Sequence, residues 1–512
     1  MSEQPNYLNL LENAALESLK KLRETFPGIY FYFFEPDYYL FFKKIAEKKI
    51  PDIHVENILS NVSISKMRPK NLSARQCLEI NDQIFYIGRP YQLLQICRLP
   101  VVKSRENPVI FASIPLYSHS MRIEVWKTPV NFKSFTSLCI PFVPFPHYLQ
   151  IACGTFKTLF INEPLFELKA VKEILSSLSS ILGKFDRVYS AGSISTQFAR
   201  AFSEAPQPSE NGSIQNNLIL IDRTIDLLNM IRIHDSYISF LEEVGAWDKS
   251  KDRVDPKKLS QILNITETEA QRLNMYTKDD PLFEKIALSN LPEAIRQINT
   301  TEMQKSIPEQ FLQNHIKVIK WLNFSITNGY LIDLVLRIQR NMVDALEYGR
   351  CVPLSPTGPS LAFRMLSILH YNGKTEATQS IARLLAAKFG ISMFSKWNAA
   401  DEISMKTSLI EAPSKLKSAI GPFISPMVAL LGNILGDTWK RPNLPVKDSF
   451  VSTEKPLTDE KRRWLVGVLG EMSATELRMF KKTAAFYRPN DEFVFMSTDI
   501  RSPRQFMDDI LH

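Results

Sequence analysis

The sequence predicts an α/β protein with Rossmann-like parallel sheets and a large inserted helical domain. Residues 218–221 form an uninterrupted aliphatic run that stops at Asp222 and Arg223. Such a run is typical of a strand buried on both faces of a parallel sheet. Residues 256–440 instead follow an almost wholly helical pattern, and strand-like apolar runs return near the carboxyl terminus. We therefore expect the late strands to rejoin the sheet of residues 218–221, with the helical block inserted between them.

The amino-terminal quarter alternates short apolar runs with amphipathic segments. The apolar runs cover residues 29–34, 84–87 and 109–112, and turn-forming residues follow each of them. This alternation predicts βαβ units and a small parallel sheet.

The segments around the central strand follow the same alternation. A helix is predicted over residues 164–182, because it begins with a proline, carries apolar residues at helical spacing and is followed by a glycine. A short strand over 187–189 and another short helix come next. Near the carboxyl terminus, strands are predicted at 464–470 and 492–496, with a helix over 473–488 between them.

Composition narrows the class of protein. A chain of 512 residues exceeds what one core supports, so several domains are expected. The hydrophobic share of 45% and the charged share of 23% are those of an ordinary soluble globular protein. The net charge of +8 is not gathered into a basic stripe, so nucleic-acid binding is not expected. Modest affinity for acidic proteins or anionic membrane surfaces stays open.

The cysteines, histidines and apolar runs indicate a cytoplasmic protein without a metal site. The five cysteines are widely spaced, and the seven histidines are scattered. This spacing predicts reduced thiols, with neither a disulfide framework nor a zinc site. The amino terminus lacks a basic-then-apolar signal region, and no run of about 18 apolar residues suggests a membrane span.

Asp222, Arg223 and Asp226 follow the central strand, at the edge where open α/β sheets place ligands. One interpretation makes Asp222 or Asp226 a catalytic carboxylate or a metal ligand. The other makes the cluster structural, with Arg223 bridging acids to brace a domain junction. The spacing favours the structural interpretation without excluding the catalytic one, since ion-pair networks also gather charge at such positions.

Three segments, in order along the chain, resemble the motifs of one family. Residues 218–226 are similar to a strand ending in Leu-Asp-Arg-x-x-Asp, although the usual proline after the second Asp is absent. Residues 280–283 resemble an Asp-Pro-Leu-Trp turn, and residues 466–476 resemble a Val-Gly-Gly-Val-Thr-Tyr-x-Glu segment that has lost one glycine. These motifs resemble the SM (Sec-one/Munc-eighteen-like) family, cytosolic regulators of SNARE-mediated membrane fusion.

Within that family the chain most resembles the vacuolar-protein-sorting subunit thirty-three branch. Residues 361–369, together with Gly373 and the later Phe389-Gly390 pair, are similar to that branch's Leu-Arg-Leu-Leu…Gly…Tyr-Gly segment. Residues 425–427, with Trp439, resemble its Ser-Pro-Leu…Gly-Trp segment.

The resemblance implies an arch-shaped molecule of three domains. The helical insertion would comprise the arch itself and a remainder. The implied limits are 1–128 for the amino-terminal α/β domain, 129–250 plus 455–512 for the central discontinuous α/β domain, and 251–454 for the insertion, with the arch at 280–350 and the remainder at 351–454.

The resemblance also implies a function without catalysis. The chain would regulate SNARE assembly in endosomal and lysosomal vesicle tethering and fusion, as a subunit of a tethering complex. It would need no cofactor and no metal, and Asp222, Arg223 and Asp226 would be structural. The implied partners are SNARE helices or bundles and an α-solenoid sorting subunit of the Vps-sixteen or VIPAR type. The chain would sit peripherally on late endosome, lysosome or vacuole membranes through these partners.

Five residues of the helical block are candidates for SNARE binding, because a template for an amphipathic helix needs a helix-sized groove. Lysines would face the acidic side of the SNARE helix. The alternative for each lysine is an ordinary solvated helix surface. The candidates are Leu282, Phe283, Lys305, Lys317 and Lys320.

The segment after Gly390 is the candidate contact with the sorting subunit. Gly390 is expected to end the preceding helix. Ile391, Met393, Phe394 and Trp397 are then too many large apolar groups for an ordinary surface loop, and such residues are typical of interface cores. The alternative, equally open, is that they complete the core of the helical domain.

A Rossmann-like enzyme, such as a hydrolase or a nucleotide-dependent transferase, is the alternative to the SM function. It would need a nucleophile elbow, a glycine-rich phosphate loop or a metal cluster, and the sequence shows none. Gly192, after the 187–189 strand, is a single glycine where a phosphate cradle needs several free backbone amides.

Overall fold

The computed structural model describes residues 7–25, short segments between residues 30 and 151, and most of the chain from residue 155 onwards. The described ranges are 7–25, 30–33, 54–57, 62–63, 68–69, 84–88, 109–113, 132–137, 142–145, 148–151, 155–162, 164–204, 215–248, 253–273, 275, 280–328, 335–337, 339, 358–371, 375–403, 415–416, 424–436, 449–453 and 462–511. The part of the predicted arch that follows residue 328 lies mostly outside them.

The amino-terminal sheet has five strands, and every neighbouring pair is parallel. The first seven strands of the chain are β1 (Tyr30–Phe33), β2 (His54–Asn57), β3 (Val62–Ser63), β4 (Arg68–Pro69), β5 (Ile84–Gly88), β6 (Val109–Ser113) and β7 (Phe132–Ser137). The sheet order is β2-β1-β5-β6-β7, while β3 and β4 form a separate antiparallel pair. The strands predicted at 29–34, 84–87 and 109–112 are thereby confirmed.

The larger sheet has seven strands drawn from the middle and the end of the chain. The remaining strands are β8 (Phe142–Pro144), β9 (Leu149–Ile151), β10 (Arg187–Ala191), β11 (Gln215–Asp222), β12 (Trp247–Asp248), β13 (Arg253–Val254), β14 (Ser449–Thr453), β15 (Arg462–Met472) and β16 (Glu492–Ile500). The order is β14-β10-β11-β15-β16-β9-β8. The inner strands are mutually parallel, and β14 and β8 pair antiparallel at the edges.

Strand β11 lies inside this sheet, between β10 and β15. Leu218 is paired with Val188 on one side and Leu465 on the other, and residues 218–221 are fully buried. An uninterrupted aliphatic run is therefore explained by burial on both faces. The expectation that the late strands rejoin the sheet of residues 218–221 is confirmed.

The helices account for most of the other described residues. Near the large sheet they are α1 (Tyr7–Thr25), α2 (Pro164–Leu182), α3 (Ser193–Glu204), α4 (Leu227–Ile231) and α5 (Tyr237–Glu243), with a π-helix at Lys157–Asn162 and a 3-10 turn at Arg223–Asp226. The helical block contributes α6 (Pro256–Leu263), α7 (Glu267–Arg272), α8 (Pro281–Ile286), α9 (Leu291–Ile298), α10 (Thr301–Ser306), α11 (Glu309–Asn328), α12 (Gly358–Tyr371), α13 (Thr375–Phe389), α14 (Ile391–Ile403) and α15 (Pro426–Leu435). The carboxyl-terminal helices are α16 (Ala474–Tyr487) and α17 (Pro503–Leu511).

Two strands lie across the predicted domain limits. β7 pairs with β6 in the amino-terminal sheet, although it follows the predicted limit at 128. β14 pairs with β10 in the large sheet, although it precedes the predicted limit at 455. Both are short edge strands, and a few residues of mixed polarity give too weak a periodicity to assign them to a sheet from sequence.

Candidate functional site

Asp222, the last residue of β11, holds the first turn of α3. One carboxylate oxygen accepts the Ile194 N–H at 2.8 Å. The other accepts the Ser195 N–H at 2.8 Å and the Ser195 hydroxyl at 2.5 Å. The amino terminus of a helix favours an anion, because its first N–H groups are unpaired and the helix dipole is positive there. The chain's own buried carboxylate fills this anion position.

Gly192 is required by that arrangement. Its backbone has a φ of +102°, and a Cβ added there would lie 2.4 Å from the Asp222 side chain. The turn that could have cradled a phosphate is therefore already occupied by Asp222. This geometry argues against a nucleotide site at the position where such α/β folds place one.

Arg223 joins the same edge of the sheet to α16. Its guanidinium is fully buried, and it donates to both carboxylate oxygens of Glu476 at 2.9 to 3.0 Å. It also donates to the main-chain oxygen of Asp226, whose carboxylate lies 4.0 Å away. Glu476 in turn completes the capping box that begins at Ser473. Arg223 thus bridges two acids, as the structural interpretation expects, whereas Asp222 makes its separate contact with α3.

Two further carboxylates lie buried around the start of α16. Glu242 accepts the Ala474 N–H at 2.7 Å and the Thr475 hydroxyl at 2.8 Å. Glu471 accepts the Phe156 N–H at 2.9 Å. Burial raises the pKa of Glu242 to about 7, although these hydrogen bonds lower it. Burial likewise raises the pKa of Glu471 to about 7, so both carboxyls titrate far above the range of an exposed glutamate.

The first turn of α8 contains the first two SNARE-binding candidates, and both are buried. Leu282 and Phe283 have no exposed surface. Asp280 caps α8 through the Phe283 N–H at 2.9 Å and lies 3.0 Å from His315 of α11. His315 also lies 3.3 Å from the Tyr237 hydroxyl. The assignment of Leu282 and Phe283 to SNARE contact is therefore wrong, because the Asp-Pro-Leu-Phe turn is part of the core that fixes α8 and α11 to α5.

The three lysine candidates are exposed. Lys305 lies at the end of α10, and Lys317 and Lys320 lie on α11. In the part of the chain that the structure describes, no ion pair involves any of them. They are available to a partner, and their role in SNARE binding stays a prediction.

The interface candidates lie on a helix and not on a loop. Gly390, with a φ of +100°, ends α13 as expected, and α14 begins directly after it. Ile391 is 75% exposed, Met393 and Phe394 are half-buried, and Trp397 is buried with its N–H donated to Ser367 at 2.7 Å. Trp397 is therefore a core residue, because its ring is buried and its N–H is hydrogen-bonded inside the helical block. Ile391, Met393 and Phe394 remain candidates for an interface.

Sequence reasoning did not single out several residues that brace this region. Glu476 belongs to a Ser-x-x-Glu capping box, which the sequence displays. Its pairing with Arg223 could not be read from sequence, since 253 residues separate them. Arg364 is similar: it is buried on α12 and donates a hydrogen bond to Glu243 at 2.7 Å, across 121 residues.

No helix among the described residues has the length and hydropathy to span a membrane.

Comparison with solved structures finds the same fold in SM proteins. The SM protein Vps45, in complex with the Qa SNARE Tlg2 (1–310), matches with a TM-score of 0.55 and 12% identity, over 98% of this chain and 97% of that one. A structure of the SM protein Vps45 matches with a TM-score of 0.53 and 13% identity, over 98% and 96%. No family model and no curated protein sequence matches the chain. The chain thus has the fold of the SM proteins.

Proposed function

We propose that this chain is an SM-type regulator of SNARE assembly and not an enzyme. The observation that carries the proposal is the likeness in fold to Vps45, which extends over nearly the whole of both chains. The Vps45 structure contains a Qa SNARE. The self-filled anion position at Asp222 supports a non-catalytic role, because it takes up the place where a related α/β fold would bind phosphate.

The SNARE contact is proposed for the exposed side of α10 and α11. Lys305, Lys317 and Lys320 place three positive charges on this short stretch of the chain. Cytoplasmic SNARE segments are amphipathic helices, and their acidic faces complement such charges. The buried contacts of His315 hold α11 in a fixed position, so the lysines are presented on a preformed surface.

The second proposed partner is an α-solenoid sorting subunit of the Vps-sixteen or VIPAR type, docked on the exposed start of α14. Ile391 at 75% exposure and Leu384 at 60% are large apolar side chains on consecutive helices. Interface cores are enriched in such residues and in aromatics such as Phe394. Through these partners the chain would act in the cytoplasm, peripherally on endosomal and lysosomal membranes, within a tethering complex.

The experiment that tests the proposal is a pull-down with purified SNARE cytoplasmic domains. The intact chain would be immobilised and offered single Qa, Qb, Qc and R SNAREs and a preassembled SNARE bundle. We expect saturable binding of at least one SNARE or bundle. Failure of every one to bind would remove the basis of the proposal.

A further inference from the structure

The last helix, α17, joins the large sheet to the helical block. It follows β16 directly, and it packs against α12 and α14 of the helical block and against α4. Its Phe506 ring is buried and lies 5.5 Å from the ring of Phe156, which precedes the π-helix. The contacts that hold α17 in place therefore also hold α12 and α14 against the central domain.

The carboxyl end of α17 is held by two lysines from different parts of the chain. Lys396 of α14 donates to the main-chain oxygen of Leu511 at 3.0 Å. Lys157 of the π-helix donates to the main-chain oxygen of Asp509 at 3.2 Å. The last carbonyls of a helix have no partner within the helix, and cations near them are favourable. This end of α17 is thus tied to both parts of the molecule.

The amino end of α17 is held by a cluster of three acids around one cation. The guanidinium of Arg501, just before the helix, lies 3.0 Å from the carboxylate of Asp499 on β16 and 3.4 Å from that of Asp509 on α17. The third acid, Glu471 on β15, lies 3.9 Å away. A single positive charge cannot balance three negative ones, so the cluster is most stable when one of the acids is neutral.

Glu471 is the acid of the cluster that is most easily neutralised. Its side chain is fully buried, and one carboxylate oxygen accepts the Phe156 N–H at 2.9 Å. Within the described ranges the other oxygen has no hydrogen-bond partner, which disfavours the ionised form of a buried carboxyl. The neighbouring Arg223 donates only to the main-chain oxygen of Glu471, at 3.4 Å, while it pairs with the carboxylate of Glu476.

We infer that Glu471, Asp499, Arg501 and Asp509 form a proton-operated latch, which holds α17 most tightly when Glu471 carries a proton and less tightly once Glu471 is ionised. Burial raises the pKa of Glu471 to about 7 with the latch closed; the charge on Arg501 lowers this pKa, and the charges on Asp509 and Asp499 raise it. When α17 moves away and water reaches Glu471, the pKa returns towards its ordinary value of 4.5. The closed latch is therefore favoured most below pH 4.5, loses that advantage as pH rises to about 7, and changes little above it.

The latch goes beyond the proposed function, because it depends on neither a SNARE nor a sorting subunit. The test is hydrogen exchange of the intact chain, followed by mass spectrometry between pH 5 and pH 8 and corrected for the intrinsic pH dependence of exchange. We expect the protection of the α17 amides to fall at least about tenfold from pH 5 to pH 7 and to level off above pH 7. Glu471→Gln, which is neutral at every pH, should keep this protection within about twofold over the same range.

Two further variants complete the test. Glu492→Gln is the matched control, because Glu492 is also on the large sheet and pairs with Arg463 at 3.2 Å, outside the latch; it should behave as the natural chain does. Asp509→Asn removes a charge that opposes ionisation of Glu471, so its protection should level off at a lower pH. This shift keeps the test decisive if Glu471→Gln fails to fold.

The amides of α3, on the central domain, report opening of the whole chain in the same experiment. The latch predicts that α17 loses protection with rising pH more steeply than α3 does. Protection of α17 that does not depend on pH, or that falls equally in the natural chain and in Glu471→Gln, would overturn the inference. An equal fall in α3 and α17 would also overturn it, because the whole chain and not the latch would then be opening.

Discussion

Gly192 and Gly390 have nearly the same backbone, with φ of +102° and +100°, but different surroundings. A Cβ at Gly192 would meet the Asp222 side chain at 2.4 Å, whereas a Cβ at Gly390 would meet nothing within 4 Å. Gly390→Ala should therefore cost only the left-handed strain, about 1–2 kcal/mol. Gly192→Ala adds a clash with a carboxylate fixed by three hydrogen bonds, so we expect a loss at least about 2 kcal/mol larger.

Urea unfolding of the two alanine variants measures this difference directly. Since both substitutions change the backbone entropy of the unfolded chain alike, that effect cancels between them. Equal losses for the two variants would mean that Asp222 does not occupy the turn at Gly192.

Arg223→Ala should destabilise the whole chain. Removing the guanidinium leaves Glu476 buried without its partner, and breaking such a pair typically costs about 3–5 kcal/mol. Arg296→Ala is the matched control, because its side chain is 77% exposed and, among the residues that the structure describes, pairs only with Glu293 in the same turn. Thermal denaturation should show a large loss for the first variant and almost none for the second. Unchanged stability together with lost partner binding would make Arg223 a functional residue and not a structural one.

At the residue scale, the sequence identified the charged residues of the site but not the residues that they contact. The abrupt end of an aliphatic run was enough to single out Asp222 and Arg223, because charged side chains directly after a buried strand need binding partners. Their partners Ser195 and Glu476 lie 27 and 253 residues away. Only the packing of α3 and α16 against the same sheet edge brings them together, and no local pattern encodes that.

At the scale of elements, prediction was best where the pattern was long. The helix predicted at 164–182 is observed as Pro164–Leu182. Strand β11, in contrast, begins at Gln215, before the aliphatic run. Its polar first residues are held by long-range bonds, such as that from the Asn216 amide to the Leu182 carbonyl at 3.0 Å. A propensity argument assigns such residues to a loop, because it cannot see those acceptors.

The start of α16 should make stability depend on pH through Glu242. Burial raises the folded pKa to about 7, from an ordinary value of 4.5. Between these values the unfolded chain has released the proton that the folded chain still holds, so stability falls as pH rises. We expect the stability of the natural chain, relative to Glu242→Gln, to decrease from pH 5 to pH 7 by up to about 1.4 kcal/mol per pH unit.

The comparison with Glu242→Gln isolates this group from others that titrate nearby. Burial lowers the pKa of His234 to about 4, which costs stability as pH falls below its ordinary value, the opposite sign. His234 is present in both proteins and cancels in the difference. Urea unfolding at half-unit steps of pH provides the measurement, and a difference that is flat with pH would show that Glu242 is ionised throughout.

Substitutions in α14 can distinguish interface residues from core residues. Ile391→Asp combined with Phe394→Asp should leave the chain folded, because Ile391 is 75% exposed and Phe394 is half-buried. Co-purification with a solenoid subunit should be lost. Trp397→Asp, one turn further on, should instead unfold the helical block, since Trp397 is 4% exposed. Circular dichroism distinguishes the two outcomes, and collapse of the double variant would return these residues to the core.

At the scale of the molecule, the middle and the end of a long chain meet in one sheet. β11 pairs with β15 over eight registered positions, from Gln215 with Arg462 to Asp222 with Leu469. The sequence predicted this pairing because both segments are uninterrupted apolar runs, which are stable only in a strand that is buried on both faces. The predicted domain limits separate β7 and β14 from the sheets in which they pair, because short edge strands carry little apolar signal.

The central claim, that the chain regulates SNAREs through α10 and α11, is tested most directly by calorimetric titration of a purified Qa-SNARE cytoplasmic domain into the intact chain. The same titration is made with Lys305→Glu combined with Lys320→Glu, and with Lys172→Glu combined with Lys415→Glu, whose lysines are exposed on other parts of the chain. We predict saturable binding that weakens about tenfold in the first variant, because charge reversal opposes the acidic SNARE face, and is unchanged in the second. Binding that is absent, or equally weakened in both variants, would contradict the account.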